Sequence, residues 1–464
     1  MSTQSGETLD LDRGHLSEPQ VLGITIAGFI PAVGLATLPA FVASYAGLSS
    51  WLPMLAGTVM FVVIAFLIRV FARRFVSTGS LFSYIQEVMG PRAGIVMAAS
   101  LIPGYVIAVS SLILGACTYF GSFLLSLGVQ DAGNNAYQIG LVALITLVTT
   151  VVVYRGIDVS VRASIILTAV SVPFILIITG AVLVSGGTNL GGQLSLDGFT
   201  LTGFLQGMAL GATFYIGFES TAALAAETRE PKKVIPRALL AVPLGLGTLY
   251  TIATFIQVPT LVEHADDLAL GISPPLVLAE SVGLGALGKV TDRIIAIAVF
   301  ASLIAFTNYG ARVMAAAAKQ GLLPERLLRV HPRYKSPTMA VFAVIVPAFL
   351  GPVALLLISD TTPLELYGVI ATLLVYAWVV PYVLVCLGAP LLLRREGRNW
   401  VPAMVIGLVV AAGVLWLYVN GIINPGPAPL SAMPYVMAAL FVIFTVGFAI
   451  AWRRGGRSLE DIDL

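Results

Sequence analysis

Long apolar runs, broken by short polar clusters, recur along the whole chain. A helix needs about 20 such residues to cross the hydrocarbon core of a bilayer. At that length the pattern predicts twelve membrane helices, near 21–45, 52–72, 93–124, 137–154, 159–184, 201–226, 235–261, 290–317, 338–358, 364–392, 400–421 and 432–452. The short polar clusters between them leave no stretch that reads as a soluble domain.

Composition agrees. Of 464 residues, 58% are hydrophobic and 10% are charged, whereas soluble domains carry about 25% charged residues. A net charge of +2 gives no case for nucleic acid; the lipid bilayer is the expected surrounding. The opening stretch, 1–20, holds Glu7, Asp10, Asp12 and Glu18 and no apolar run, so it is expected to be a tail and not a cleavable signal peptide.

Placement of charge then predicts orientation. With the N-terminus inside, the loops on that side hold Arg69, Arg73, Arg74 and Arg92, then Arg155 and Arg162, then Arg229, Lys232, Lys233 and Arg237. Further along the same side lie Arg312, Lys319, Arg326, Arg329, Arg333 and Lys335, then Arg394, Arg395 and Arg398. Arg13 precedes the first span, and Arg453, Arg454 and Arg457 follow the last. Only Lys289 and Arg293 fall outside, so 23 of 25 Lys and Arg are expected to be cytoplasmic. Positive charge concentrates on the cytoplasmic side of membrane proteins. Both termini, 1–20 and 453–464, are therefore predicted to be cytoplasmic, in the inner or plasma membrane. Outer loops are short apart from 185–200 and 262–289. Twelve spans with short loops favour transport over receptor or structural roles.

Two spans carry signs of interruption. In the first, GITIAGFIPAVGLATLPAFV, Pro31 and Pro39 bracket Val33 and Gly34. Proline removes a backbone hydrogen bond and crowds the preceding turn. In the sixth, TFYIGFE (213–219) places glycine, aromatics and an acid in mid-span. Matching interruptions in the first and sixth spans predict two five-helix halves, 21–184 and 201–392, related as an inverted repeat with a midplane binding site. Two further helices, 400–452, would follow. Broken helices are tolerated in lipid where freed backbone faces protein or a cavity. Freed amides at a half-helix start suit a carboxylate, and freed carbonyls suit an ammonium. A zwitterion fits such a pair.

Four stretches carry a resemblance to the amino acid–polyamine–organocation (APC) family of amino acid permeases: FYIGFESTAALAAETREPKKVIPRAL (214–239), NYGARVMAAAAKQGLLPERLLRVHPRYKSPTMAV (308–341), STGSLFSYIQEVMGP (77–91) and YRGIDVSVRAS (154–164). The resemblance implies an all-α, twelve-helix, five-plus-five inverted-repeat (LeuT-like) fold shared with sodium-coupled amine transporters, with discontinuous helices 1 and 6 and two trailing helices. Many members place a glycine–small–glycine run at the first-helix break. Here that place reads Pro31, Ala32, Val33, Gly34, Leu35, similar to a proline-containing branch of the family.

Candidate substrate-binding residues are thus Pro31, Ala32, Val33, Gly34 and Leu35 with Phe214, Tyr215, Ile216, Gly217 and Phe218. A carboxylate at membrane depth costs about 2.5–3.5 kcal/mol on insertion scales. Glu219 either holds the broken helix by accepting hydrogen bonds or carries a proton through the transport cycle. Ser302 and Thr307, beside Asn308, either hold Na⁺ with backbone oxygens or bond across helices. The fifth span, 160–184, has no lysine to stand in for sodium, so H⁺ and Na⁺ both stay open as coupling ion. Tyr105 and Tyr367 are gate candidates. Phe214 or Tyr215 is expected to cover the substrate or shape its side-chain pocket.

Other features carry no chemistry. Cys117 and Cys386 lie in apolar runs and read as small hydrophobes. His15, His264 and His331 lack ligand-like spacing, so neither metal nor cofactor is expected. GLGALGK, 283–289, follows no strand and has Val290 where a P-loop needs Ser or Thr. Gly207 and Gly211 have helix-packing spacing. The expected function is secondary transport of an amino acid, neutral or hydrophobic, by proton-coupled symport or by exchange. The alternative is an amine, polyamine or other organic cation, which would want a second acid. A membrane enzyme would need a His, Asp or Ser cluster at the membrane face, and a channel a repeated polar stripe; neither is seen. The sequence holds no signal for oligomeric state.

Overall fold

The computed structural model describes residues 14 and 16–454, except 78, 155–157, 197, 226, 330, 332–336 and 360; the side chains of 158–165 also stand outside the description. Arg13, Arg155, Arg333, Lys335 and Arg457 of the charge pattern and the side chain of Arg162 therefore lie outside the description, as do His15, most of both tails and parts of 154–164 and 308–341.

Among the described residues the chain is helical, with no β-strand. The first half holds α1 (Glu18–Gly28), α2 (Pro31–Ala46), α3 (Trp51–Ala72), α4 (Ser80–Met89), α5 (Pro91–Ser126), α6 (Asn135–Tyr154) and α7 (Asp158–Val184). After the short α8 (Leu190–Leu194) come α9 (Leu201–Ala212), α10 (Pro231–Leu240), α11 (Gly247–Glu263), α12 (Ala265–Ala269) and α13 (Pro274–Ser281). Then follow α14 (Gly285–Lys319), α15 (Thr338–Ile358), α16 (Pro363–Arg395), α17 (Val401–Ile423) and α18 (Met433–Arg454). Ten helical stretches among the described residues are long and apolar enough to cross a membrane, the first a 55-residue stretch from Glu18 to Ala72.

The first span breaks at Phe29 and Ile30, not around Val33 and Gly34 as the two prolines suggest. Proline has the φ of a helix and lacks an N–H that a first turn would leave unpaired, so it starts helices well. Pro31 does this for α2, and Pro39 is absorbed inside it. Ile30 carries the turn in a left-handed conformation, φ 38°. For a β-branched residue that costs about 1–2 kcal/mol, and burial at 2% exposure holds it there. The sixth span breaks where expected: α9 ends at Ala212, turns cover 213–217, Gly217 has φ 91°, and a 3-10 segment runs from Phe218 to Leu224.

Packing sorts the helices into two groups. α5, α6, α14 and α15 pack on one another, and α2, α3, α9 and α11 do the same. α16 joins α5 to α3. A backbone clasp ties the chain start to the segment after the sixth span. Leu16 N–H donates to the Glu227 carbonyl and Arg229 N–H to the Leu16 carbonyl, each at 2.9 Å. Arg237 adds two 3.1 Å contacts to the carboxylate of Glu18.

Candidate functional site

The two interruptions meet across a cavity of about 50 Å³. Its wall takes Gly28, Phe29, Ile30 and Val33 from the first break, and Thr213, Phe214 and Ile216 from the second. α5 contributes Ala108, Ser111 and Leu112, α14 contributes Ser302 and Phe306, and α16 contributes Tyr367 and Leu374. No charged side chain lines it.

Backbone groups at the first break are partly spoken for. Phe29 and Ile30 donate to Ile26 and Ala27. Ser302 Oγ donates to the Gly28 carbonyl at 2.6 Å. In the first turn of α2, Pro31 has no N–H, and the Val33 and Gly34 amides both reach the Ile30 carbonyl, at 2.9 and 3.4 Å. Ala32 N–H, in the same turn, makes no backbone hydrogen bond of its own, and the residue is fully buried behind the cavity wall.

Of the residues proposed from sequence, Val33, Phe214, Ile216, Ser302 and Tyr367 line the cavity. Pro31, Ala32, Gly34 and Leu35 sit behind it in the first turn of α2. Gly34 has a packing reason to be glycine: a Cβ there would stand 2.5 Å from the Tyr250 ring and hydroxyl. Tyr215 turns away from the cavity. Its hydroxyl pairs with Thr58 Oγ1 at 2.7 Å and its ring stacks on Phe61 at 4.8 Å. Phe218 packs between Phe61 and Tyr382. Thr307 donates to its own helix at Leu303, and Asn308 to Ile304, the usual resting place for polar groups in membrane helices. Thr307 does not join Ser302 in the cavity wall.

Glu219 lies outside the cavity lining, buried to 1% exposure. Trp378 Nε1 donates to one carboxylate oxygen at 2.7 Å and the Tyr382 hydroxyl to the other at 3.2 Å. Ser80 Oγ donates to its main-chain carbonyl at 2.9 Å. Next to it, Tyr105 and Ser220 share a 3.0 Å hydrogen bond, and the Tyr105 ring meets Trp378 edge-on at 5.4 Å. Gly104 makes room for that tryptophan, since a Cβ would stand 2.5 Å from its ring. Glu219, Tyr105, Trp378 and Tyr382 thus form one buried polar cluster joining the sixth span to α4, α5 and α16.

Sequence reasoning missed Trp378 and Tyr382, more than 150 positions from Glu219, and the cavity residues Ser111, Thr213 and Phe306. It also missed Asp292, a fully buried acid in the third turn of α14.

A family model described as amino acid permease matches residues 16–448. The chain belongs to the amino acid permease family. The permease is similar to two proteins named branched-chain amino acid permease BcaP. It is 25% identical to the one from Lactococcus lactis over 342 residues, 69% of each chain, and 26% identical to the one from Bacillus subtilis over 309 residues, 62% of each. Similarity extends to the low-affinity putrescine importer PlaP of Escherichia coli, 28% identical over 302 residues and 62% of each chain. Family and relatives are transporters, and with ten apolar helical stretches among its described residues the permease is a multi-pass membrane protein.

Proposed function

We propose that the permease moves a neutral, apolar amino acid across the cell membrane by alternating access. The observation that carries this reading is the meeting of two interrupted spans on one uncharged cavity. Midplane sites in secondary transporters are built at such broken helices. The substrate carboxylate is received at the start of α2, where the helix dipole is positive, and its ammonium at the carbonyl end of α1. Its side chain points toward Ile216, Leu112 and Leu374. The branched-chain names of two relatives and the absence of charge from the cavity wall support an apolar side chain. A polyamine would press a second ammonium against this wall, so the organic-cation reading has the weaker support.

Twelve crossings fit the described helices. The 55-residue stretch from Glu18 to Ala72 accommodates two, and α9 with the segment to Leu224 adds one more to the ten. The repeats are 21–184 and 201–392, with α17 and α18 trailing. Both termini are cytoplasmic, on the charge pattern. α5, α6, α14 and α15 form the scaffold, against which α1, α2, α3, α9 and α11 rock. Phe214 and Tyr367 shape the substrate pocket, and Tyr105 closes the path beyond it.

Coupling is assigned to protons, with Glu219 the carrier. Its Trp378 and Tyr382 partners hold a carboxylate in place, and only one of the two hydroxyls suggested for sodium reaches the cavity. The test is uptake by proteoliposomes of leucine, isoleucine, valine and putrescine, with and without an inward proton gradient. Leucine uptake that follows the gradient, and a Glu219→Gln variant that binds leucine without moving protons, are the expected results. Uptake of putrescine alone would sink the amino acid reading. Uptake that needs Na⁺ and ignores the gradient would sink the proton assignment.

A further inference from the structure

The outer loop 262–289 folds into two helices, and the second, α13, is held by two contacts of different kinds. On one side it meets α5 and α14 through a buried acid. Ser122 Oγ donates to Asp292 Oδ2 at 2.7 Å, and Ser273 Oγ donates to Oδ1 at 2.5 Å. Ser273 N–H returns a hydrogen bond to Ser122 at 3.0 Å, and Ser273 caps α13 by accepting from Leu276 N–H at 3.3 Å. All three side chains are at most 1% exposed. The neighbouring cations serve α5 and not the acid: Lys289 donates to the Ser126 carbonyl at 3.1 Å, and Arg293 lies 4.3 Å from the centre of the Phe123 ring.

On its other side α13 touches α2, α7 and α11 through a small apolar cluster, separate from the main core. Val277 and Leu278 meet Ala40, Ile178, Val182 and Leu261 there. Hydrophobic contact is non-directional and tolerates the sliding that packed helices undergo in shear motions. Hydrogen bonds to a desolvated carboxylate are directional and costly to leave unmade.

We propose that Asp292 is the positioning residue of an outer-loop anchor: it fixes α13 to α5 and α14 so that α2 and α11 slide against it as the permease changes state. The inference rests on the transport reading above. A buried acid with two serine donors and no cation of its own is an expensive way to hold a loop, and an apolar anchor would serve if only stability were needed. The carboxylate fixes an orientation across three segments, near positions 122, 273 and 292. Gly288 completes the dock, since a Cβ there would stand 2.8 Å from the Ala279 Cβ and from Leu276 Cδ1.

The test uses full-length protein with two variants. Asp292→Asn keeps the shape and loses one serine hydrogen bond; Gly288→Ala pushes α13 off α14 at Ala279 and Leu276 and leaves Asp292, Ser122 and Ser273 unaltered. Each is expected to raise hydrogen exchange over 265–281 by roughly tenfold, on the scale of one charged hydrogen bond. Leucine turnover in proteoliposomes falls several-fold, while the thermal stabilisation by leucine stays as in the unaltered protein. Exchange over 265–281 unchanged in both variants, or raised with turnover intact, overturns the proposal. If Asp292→Asn does not fold, Gly288→Ala decides by the same two readouts. Unaltered protein that moves no leucine would defeat the transport reading alone and leave the exchange result to stand for the anchor.

Discussion

Gly217→Ala probes the second break most directly. Two costs follow from the geometry. At φ 91° an L-residue meets the left-handed penalty of about 1–2 kcal/mol. The new methyl would also stand 2.9 Å from Cε1 and Cζ of Phe306, roughly 0.6 Å inside the ~3.5 Å at which carbon atoms rest. The ring edge is the movable end of its side chain, and Phe306 lines the cavity, so relief sends it into the substrate space. Overpacking of this kind costs about 1–3 kcal/mol, for a total near 2–5 kcal/mol. The assay is a double-mutant cycle of Gly217→Ala and Phe306→Leu, read by thermal melting and by leucine uptake. Phe306→Leu is expected to recover the packing share and part of the lost affinity, leaving a residue of about 1–2 kcal/mol that belongs to the backbone. Full recovery would refute the backbone cost. A Gly217→Ala protein that melts and transports like the parent would refute both parts.

Three further outcomes follow from single contacts. Tyr250 has a buried hydroxyl without a partner, so Tyr250→Phe is expected to raise the melting temperature, by about 1 kcal/mol of stability, with uptake preserved. Ser302→Ala strips the Gly28 carbonyl of its donor; KM for leucine rises several-fold with little change in maximal rate, and stability falls by about 1–3 kcal/mol. Leu16→Pro removes the donor to the Glu227 carbonyl; at about 1 kcal/mol, exchange at the Arg229 amide is expected to rise about fivefold.

The all-helical, membrane-crossing character is readable because membrane helices must be long and apolar to satisfy their backbones internally. The sixth-span break was readable too, since glycine beside an acid has few other uses in lipid. The first break was misplaced by a few residues because proline marks either an end or a beginning, and Pro31 begins a helix. What pattern does not carry is pairing at a distance. Glu219 announces itself, yet Trp378 and Tyr382 look like any aromatics in an apolar run until α16 lies beside the sixth span. Tyr215 shows the reverse: its place next to the break suggests a lid, and its hydroxyl turns instead to Thr58. Asp292 was missed for the same reason: its serine partners at 122 and 273 come from other segments.

Pro31 also shapes what the site can tell apart. A full half-helix start offers several amides and grips both oxygens of an acid; here Pro31 has none and the Ile30 carbonyl takes those of Val33 and Gly34. If the substrate carboxylate is received there as proposed, so sparse a start asks for little more than one carbonyl-type oxygen, and methyl esters and amides of apolar amino acids are expected to compete as ligands. Discrimination then shifts from the charged end of the molecule to the shape of its other end.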